Sequence, residues 1–178
     1  MRYLILILLL FPTVALACPK GADQRQAKDE LFDRLVASPN ETAARALTEK
    51  LWDIWLKAPD AKAQSMLDLG LQLHAQGQFD AAKGAYDKLI AYCPDFAEGY
   101  NQRAFVYYLT GRWALALVDL DRAIELSPRH LGALSGKGLT LMQLNRQDEA
   151  QEMFRHTLKL NPWMPERSLI KKPAGVEL

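Results

Sequence analysis

A spacing of 34 residues recurs through the centre of this 178-residue chain, and it narrows the folds open to it more than any other feature. Pro94, Pro128 and Pro162 keep that step, as do Ala82, Ala116 and Ala150 and the small residues Gly70, Ala104 and Gly138. Bulky residues follow it at Tyr86, Leu120 and Phe154, with further apolar or ring residues at Leu73, Tyr107 and Leu141. A sixth register holds Gly77, Gly111 and Asn145, residue types that tolerate positive φ. A fixed period of about 20 to 50 residues marks an array of supersecondary units, each of which buries its apolar face only by stacking on a neighbour.

Each unit reads as two amphipathic helices, roughly 63–76 and 79–92 in the first, joined by the turn that carries Gly77. Gly70 and Ala82 let the two axes approach, and Tyr86 fills the space between hairpins. The proline ends the second helix, because it lacks an N–H donor and disfavours helix in the residue before it. In order and spacing, Gly70, Leu73, Gly77, Ala82, Tyr86 and Pro94 resemble the tetratricopeptide-repeat family. The second unit repeats the pattern with Ala104, Tyr107, Gly111, Ala116, Ala123 and Pro128, and the third keeps Gly138, Ala150, Phe154 and Pro162. The resemblance implies an all-α, tetratricopeptide-type α-solenoid of stacked antiparallel helix hairpins, with repeats at 63–96, 97–130 and 131–164. It also implies a non-enzymatic scaffold or adaptor that binds a protein or peptide segment in a concave groove. Arg103 and Lys137 stand where the family usually carries leucine, and Asn145 replaces the turn glycine.

Residues 24–59 read as a degenerate N-terminal capping hairpin: a helix around Leu31 to Val36, a break at Ser38-Pro39-Asn40, and a second helix from Glu41. Trp52 and Trp55 lie one period before Tyr86 and Leu89 and so fall in register with them. Over 165–178, Pro165 opens a short capping helix and a mobile tail follows. At the other end, Met1 and Arg2, the apolar run from Tyr3 to Phe11, and the small Ala15 and Ala17 have the layout of a signal peptide over 1–17, with a flexible tail at 18–23. That run is shorter than the roughly 20 residues needed to span a bilayer, and no second run in the mature chain is long enough, so no transmembrane span is expected there. The arrangement resembles exported bacterial repeat proteins, which implies the periplasm. Loss of Arg2 with the leader leaves basic and acidic side chains equal in number, a balance that excludes nucleic acid as a partner class.

Cys18 and Cys93 are the two cysteines, and in an oxidising compartment they are expected to pair as a disulfide. A second fate is open to Cys18, because Ala15-Leu16-Ala17-Cys18 partly resembles a lipoprotein cleavage box, with Ala15 and Leu16 fitting poorly. A lipid anchor there goes with the alternative reading, a structural component of an envelope complex that works through its outer surface.

Nothing in the chain assembles a reactive centre on paper. His74, His130 and His156 fall in three kinds of place without the companions a transition metal needs, so no metal and no cofactor is called for. There is no nucleophile elbow and no phosphate-cradling glycine loop. Asp119 and Asp121, beside Arg122, read as a solvated outer face.

The family resemblance implies which residues line the groove: Leu67, Leu71 and His74 from the first repeat, Asn101, Phe105 and Tyr108 from the second, and Ser135, Leu139 and Met142 from the third. Some members of the family grip a free C-terminal carboxylate with lysine, asparagine and arginine. The matching places here are Leu67, Leu71, Gln102, Gly132 and Gly136, none of them cationic. Gly132 and Gly136 each cost about 1 kcal/mol against alanine inside a helix. Two readings account for them: they clear the groove floor for a partner's backbone, or they make room for neighbours such as Tyr108 or Trp113.

Overall fold

The computed structural model describes residues 18–171, and among them the regular structure is eight α-helices and one 3-10 turn, with no strand. The helices are α1 (Arg25–Val36), α2 (Glu41–Trp55), α3 (Ala61–Ala75), α4 (Phe79–Tyr92), α5 (Ala97–Leu109), α6 (Trp113–Leu126), α7 (Leu131–Gln143) and α8 (Gln147–Leu160); the 3-10 turn is Pro165–Leu169. The expected signal peptide, 1–17, and the last part of the expected tail, 172–178, lie outside the described residues.

Local chemistry sets most of these boundaries. Gly77, Gly111 and Asn145 adopt φ of 71°, 70° and 59°, the left-handed turn that lets one helix reverse into the next. The Asn40 and Asp60 side chains accept hydrogen bonds from the backbone N–H groups of Ala43 and Ala63 at 2.9 and 2.8 Å, which caps α2 and α3. Pro94, Pro128 and Pro162 each fall two residues beyond the end of α4, α6 or α8.

The three repeats are the hairpins α3–α4, α5–α6 and α7–α8. Within a hairpin the first helix offers a small residue to a large one 16 positions on. A Cβ on Gly70 would lie 2.2 Å from the Tyr86 ring, and one on Gly138 would lie 2.3 Å from the Phe154 ring. In the middle repeat the large partner is only Leu120, and the small residue is Ala104, both buried in one cluster. The choice between glycine and alanine thus follows the size of the side chain opposite.

The positions that depart from the family's leucine carry ion pairs. Arg103 donates two bonds to the Asp119 carboxylate, both 2.7 Å, and a third of 2.8 Å to Asp87 on the previous hairpin. Lys137 reaches Asp121 at 2.6 Å, which repeats the Arg103–Asp87 pairing one period later. The expectation of a solvated face fails for Asp119, which is only 4% exposed; the guanidinium on α5 draws it inward.

The α1–α2 hairpin docks far from the place its register implies. Tyr86 packs on Gly70 of its own repeat, whereas Trp52, one period earlier, packs on Gly132 of the third repeat. Phe32, Leu35, Ala44, Leu47, Leu51 and Trp55 form one buried cluster with Leu131, flanked by Leu160, Trp163 and Met164. Polar contacts follow the same path: Trp163 Nε1 donates to the Ser38 carbonyl at 3.1 Å, and Asn161 Nδ2 to Thr48 Oγ1 at 3.3 Å. The hairpin therefore ties the two ends of the array together. A Cys18–Cys93 disulfide, with Cα atoms 5.0 Å apart, fixes the segment before α1 to the α4–α5 turn.

Candidate functional site

The first helices of the repeats, α3, α5 and α7, form one wall after another of a concave channel, and a cavity of about 450 Å³ lies in it. Leu71 and His74 of α3 face Phe105 and Tyr108 of α5 and Leu139 of α7 across this space, with the Asn101 and Ser135 side chains at its floor. Phe105 is 46% exposed, a large ring left facing solvent at the mouth. The His74 ring meets it edge-on, 4.9 Å between centroids. Burial holds the His74 imidazole below its usual pKa of 6.5, so it is neutral near pH 7. With His74 neutral, none of the residues lining this cavity carries a formal charge.

Two of the nine groove residues implied by the resemblance lie elsewhere. Leu67 is fully buried with Ala63, Ala82, Tyr86 and Leu89, on the side of α3 that packs against α4. Met142 packs at the edge of the Leu141, Ala150 and Phe154 cluster. Asn101 and Ser135 border the cavity but are themselves buried and committed: Asn101 donates to Glu98, and Ser135 donates to Glu166 of the 3-10 turn. The two glycines answer to bulky neighbours other than Tyr108 and Trp113. A Cβ on Gly132 would lie 2.5 Å from Trp52, and one on Gly136 would lie 3.1 Å from Leu120.

A polar group beneath the floor went unread in the sequence. Glu98 and His130 are both buried, with Glu98 Oε2 and His130 Nε2 2.8 Å apart. His130 Nδ1 accepts the backbone N–H of Ala133 at 3.3 Å and so caps α7, which places the ring proton on Nε2, donating to Glu98. Gln102 Nε2 also donates to Glu98, at 2.5 Å, and Trp55 stacks on the imidazole with centroids 4.3 Å apart. Glu98 and His130 sit at different register positions, so the 34-residue pattern carried no sign of the pair. A second hollow, of about 690 Å³, lies at the rim between residues 18–28 and the α4–α5 turn; it is lined by charges of both signs.

A channel walled by the first helices of successive hairpins, closed by left-handed turns and packed by small-to-large pairs, defines a tetratricopeptide-type solenoid. The chain belongs to the tetratricopeptide-repeat family: the profile described as TPR repeat matches 70–111, and profiles described as tetratricopeptide repeat match 97–130 and 131–162. A TPR repeat-containing protein of Rhizobium etli is 25% identical over 142 residues, covering 80% of this chain and 70% of its own. The DnaJ homolog subfamily C member 3 of Bos taurus is 33% identical over 103 residues, which are 58% of this chain but only 20% of that protein. Among solved structures, the first TPR of Spaghetti (RPAP3) bound to the HSP90 peptide SRMEEVD aligns with a TM-score of 0.60 and 25% identity, over 62% of this chain and 88% of that one. The second TPR domain of human RPAP3, in complex with the HSP70 peptide SGPTIEEVD, aligns with a TM-score of 0.58 and 28% identity, over 62% and 96%.

Proposed function

We propose that this protein is an exported scaffold that binds a segment of another polypeptide in its concave channel and performs no catalysis of its own. The observation that carries the reading is the uncharged cavity between α3, α5 and α7 with Phe105 half exposed at its mouth. A half-exposed aromatic in a concave, mostly apolar site is the usual anchor of a protein contact. The peptide-bound RPAP3 domains, similar in fold, support the same use of the channel. Export is supported by the layout of residues 1–17 and by the Cys18–Cys93 disulfide, a bond that persists in oxidising compartments such as the periplasm.

The disulfide also weighs against an anchor at Cys18, since acylation needs the same sulfur. Intact mass of the secreted protein separates these fates: a disulfide removes two hydrogens, while lipidation adds hundreds of daltons. For the channel, the test is a pull-down from envelope extract with the wild type and a Phe105→Ala/Tyr108→Ala double variant. Loss of the partner in the variant supports the channel. Retention would point to an outer surface and to the assembly role.

A further inference from the structure

The cavity takes one lining residue from outside the three repeats, Trp52 of α2. Trp52 of α2 lies over Gly132 so closely that a single Cβ there would stand 2.5 Å from the indole. The same indole meets Trp55 and His130 edge-on, at 5.4 and 5.6 Å between centroids, and the buried Glu98 braces His130 from beneath. The helix that carries Trp52 is held at its neighbours by the buried Phe32, Leu35 and Leu51 cluster and by the bonds from Asn161 and Trp163. Packed rings on a hairpin whose apolar face is buried make a fixed wall rather than a mobile flap.

We propose that Trp52 is the end wall of a blind pocket that receives a bulky apolar side chain from an uncharged stretch of a partner polypeptide and excludes a free C-terminal carboxylate. This rests on the peptide-binding reading above and names the occupant. Charge complementarity carries it. A carboxylate entering a lining without formal charge would be desolvated and unpaired. The buried anion nearest the floor is Glu98, of the wrong sign to greet a carboxylate, and it takes up the Asn101 and Gln102 amide N–H groups as donors. The amide carbonyl oxygens remain, and these accept hydrogen bonds from the N–H groups of a peptide backbone. Of the five places that match the family's carboxylate grip, three are closed here: Leu67 is buried, Trp52 covers Gly132, and Leu120 lies against Gly136; the other two, Leu71 and Gln102, line the cavity without a positive charge. A cavity of about 450 Å³ is in the range that encloses a few side chains.

The test uses the full mature chain to select from a phage library of random dodecapeptides displayed with both ends blocked by carrier sequence, with Phe105→Ala as the counter-selection. The best peptide is then synthesised, acetylated and amidated, and titrated calorimetrically. Enriched sequences are expected to share a bulky apolar residue in an uncharged window; its change to Asp should weaken binding at least about 100-fold, and SRMEEVD should fail to compete at about 1 mM. Enlarging the shared apolar side chain of the peptide by a second ring should weaken binding to the wild type at least about 100-fold and be tolerated by Trp52→Ala. Trp52→Phe, a smaller ring that keeps the cluster filled, should show partial tolerance and serves if the alanine variant does not fold. Enrichment of acidic sequences, displacement by SRMEEVD, or equal tolerance of the enlarged side chain in the wild type and both Trp52 variants would overturn the end wall while leaving peptide binding intact. No enrichment over Phe105→Ala would overturn both.

Discussion

Replacing Arg103 with leucine, the residue its family usually carries there, should destabilise this protein by about 3 kcal/mol, because the charge it leaves behind is buried. The Asp119 carboxylate keeps 6% of its side-chain exposure and receives two bonds of 2.7 Å from the guanidinium, whereas Asp87, the other partner, keeps 38%. Breaking a buried pair by removing one partner costs about 3 to 5 kcal/mol, and the 20% exposure of Arg103 places this pair at the lower end. For a chain of this size, each kcal/mol corresponds to about 2 to 4 °C in Tm, so the single variant should melt about 6 to 12 °C lower. Arg103→Leu/Asp119→Leu removes both charges and should return to within about 1 kcal/mol of the wild type. Far-UV circular dichroism during urea and thermal unfolding reads all three proteins, and Asp119→Leu completes the cycle. Additive losses in the double variant would refute the reasoning, since they would mean that Asp119 does not depend on Arg103.

Adjacent tyrosines should answer truncation in opposite ways. Tyr107 is buried with Ala104, Ala116 and Leu120, so Tyr107→Ala should cost about 3 to 5 kcal/mol, while Tyr108→Ala, at the cavity wall, should cost less than about 1.5 kcal/mol and instead weaken the partner; thermal melts of the two decide it. Gly138→Ala places a methyl 2.3 Å from the Phe154 ring and should destabilise by about 1 to 3 kcal/mol or more, whereas Gly84→Ala, whose Cβ would meet open space in mid-helix, should stabilise by up to about 1 kcal/mol in the same urea titration. Burial alone would raise the Asp87 pKa, but bonds from Lys83 and Arg103 outweigh it and hold the carboxyl below its usual 3.8. A depressed carboxyl stabilises the fold above its unfolded value and loses that contribution as pH falls through the folded one. Stability should therefore decline below about pH 4, and Asp87→Asn should make that acid decline shallower in melts taken across the range.

Most of the array was legible in the sequence because each repeat is held by contacts to itself and its neighbours. The turn residues, the terminating prolines and the small-to-large pairs Gly70–Tyr86 and Gly138–Phe154 all act over fewer than 34 positions, so they repeat with the chain and can be read from its period. Five of the channel residues, Leu71, His74, Phe105, Tyr108 and Leu139, were implied by the family resemblance that the period supports, and they line the cavity, whereas Met142, in register with His74 and Tyr108, packs in a neighbouring cluster. What the period could not carry is everything that depends on distant partners. The bonds from Trp163 to Ser38 and from Asn161 to Thr48 cross separations of 125 and 113 residues, and no local pattern records them. Trp52 matches Tyr86 by register, yet the α1–α2 hairpin lacks the small residue that would receive it there, and Gly132 at the far end of the array offers the space. Burial of the hairpin's apolar face outweighs register, since apolar attraction depends on the area removed from water and not on order along the chain. The sequence by itself determined a repeated helical scaffold, and its family resemblance implied a concave face. Tertiary structure alone decided where that face ends, because its end wall comes from a hairpin whose docking site is on the opposite repeat.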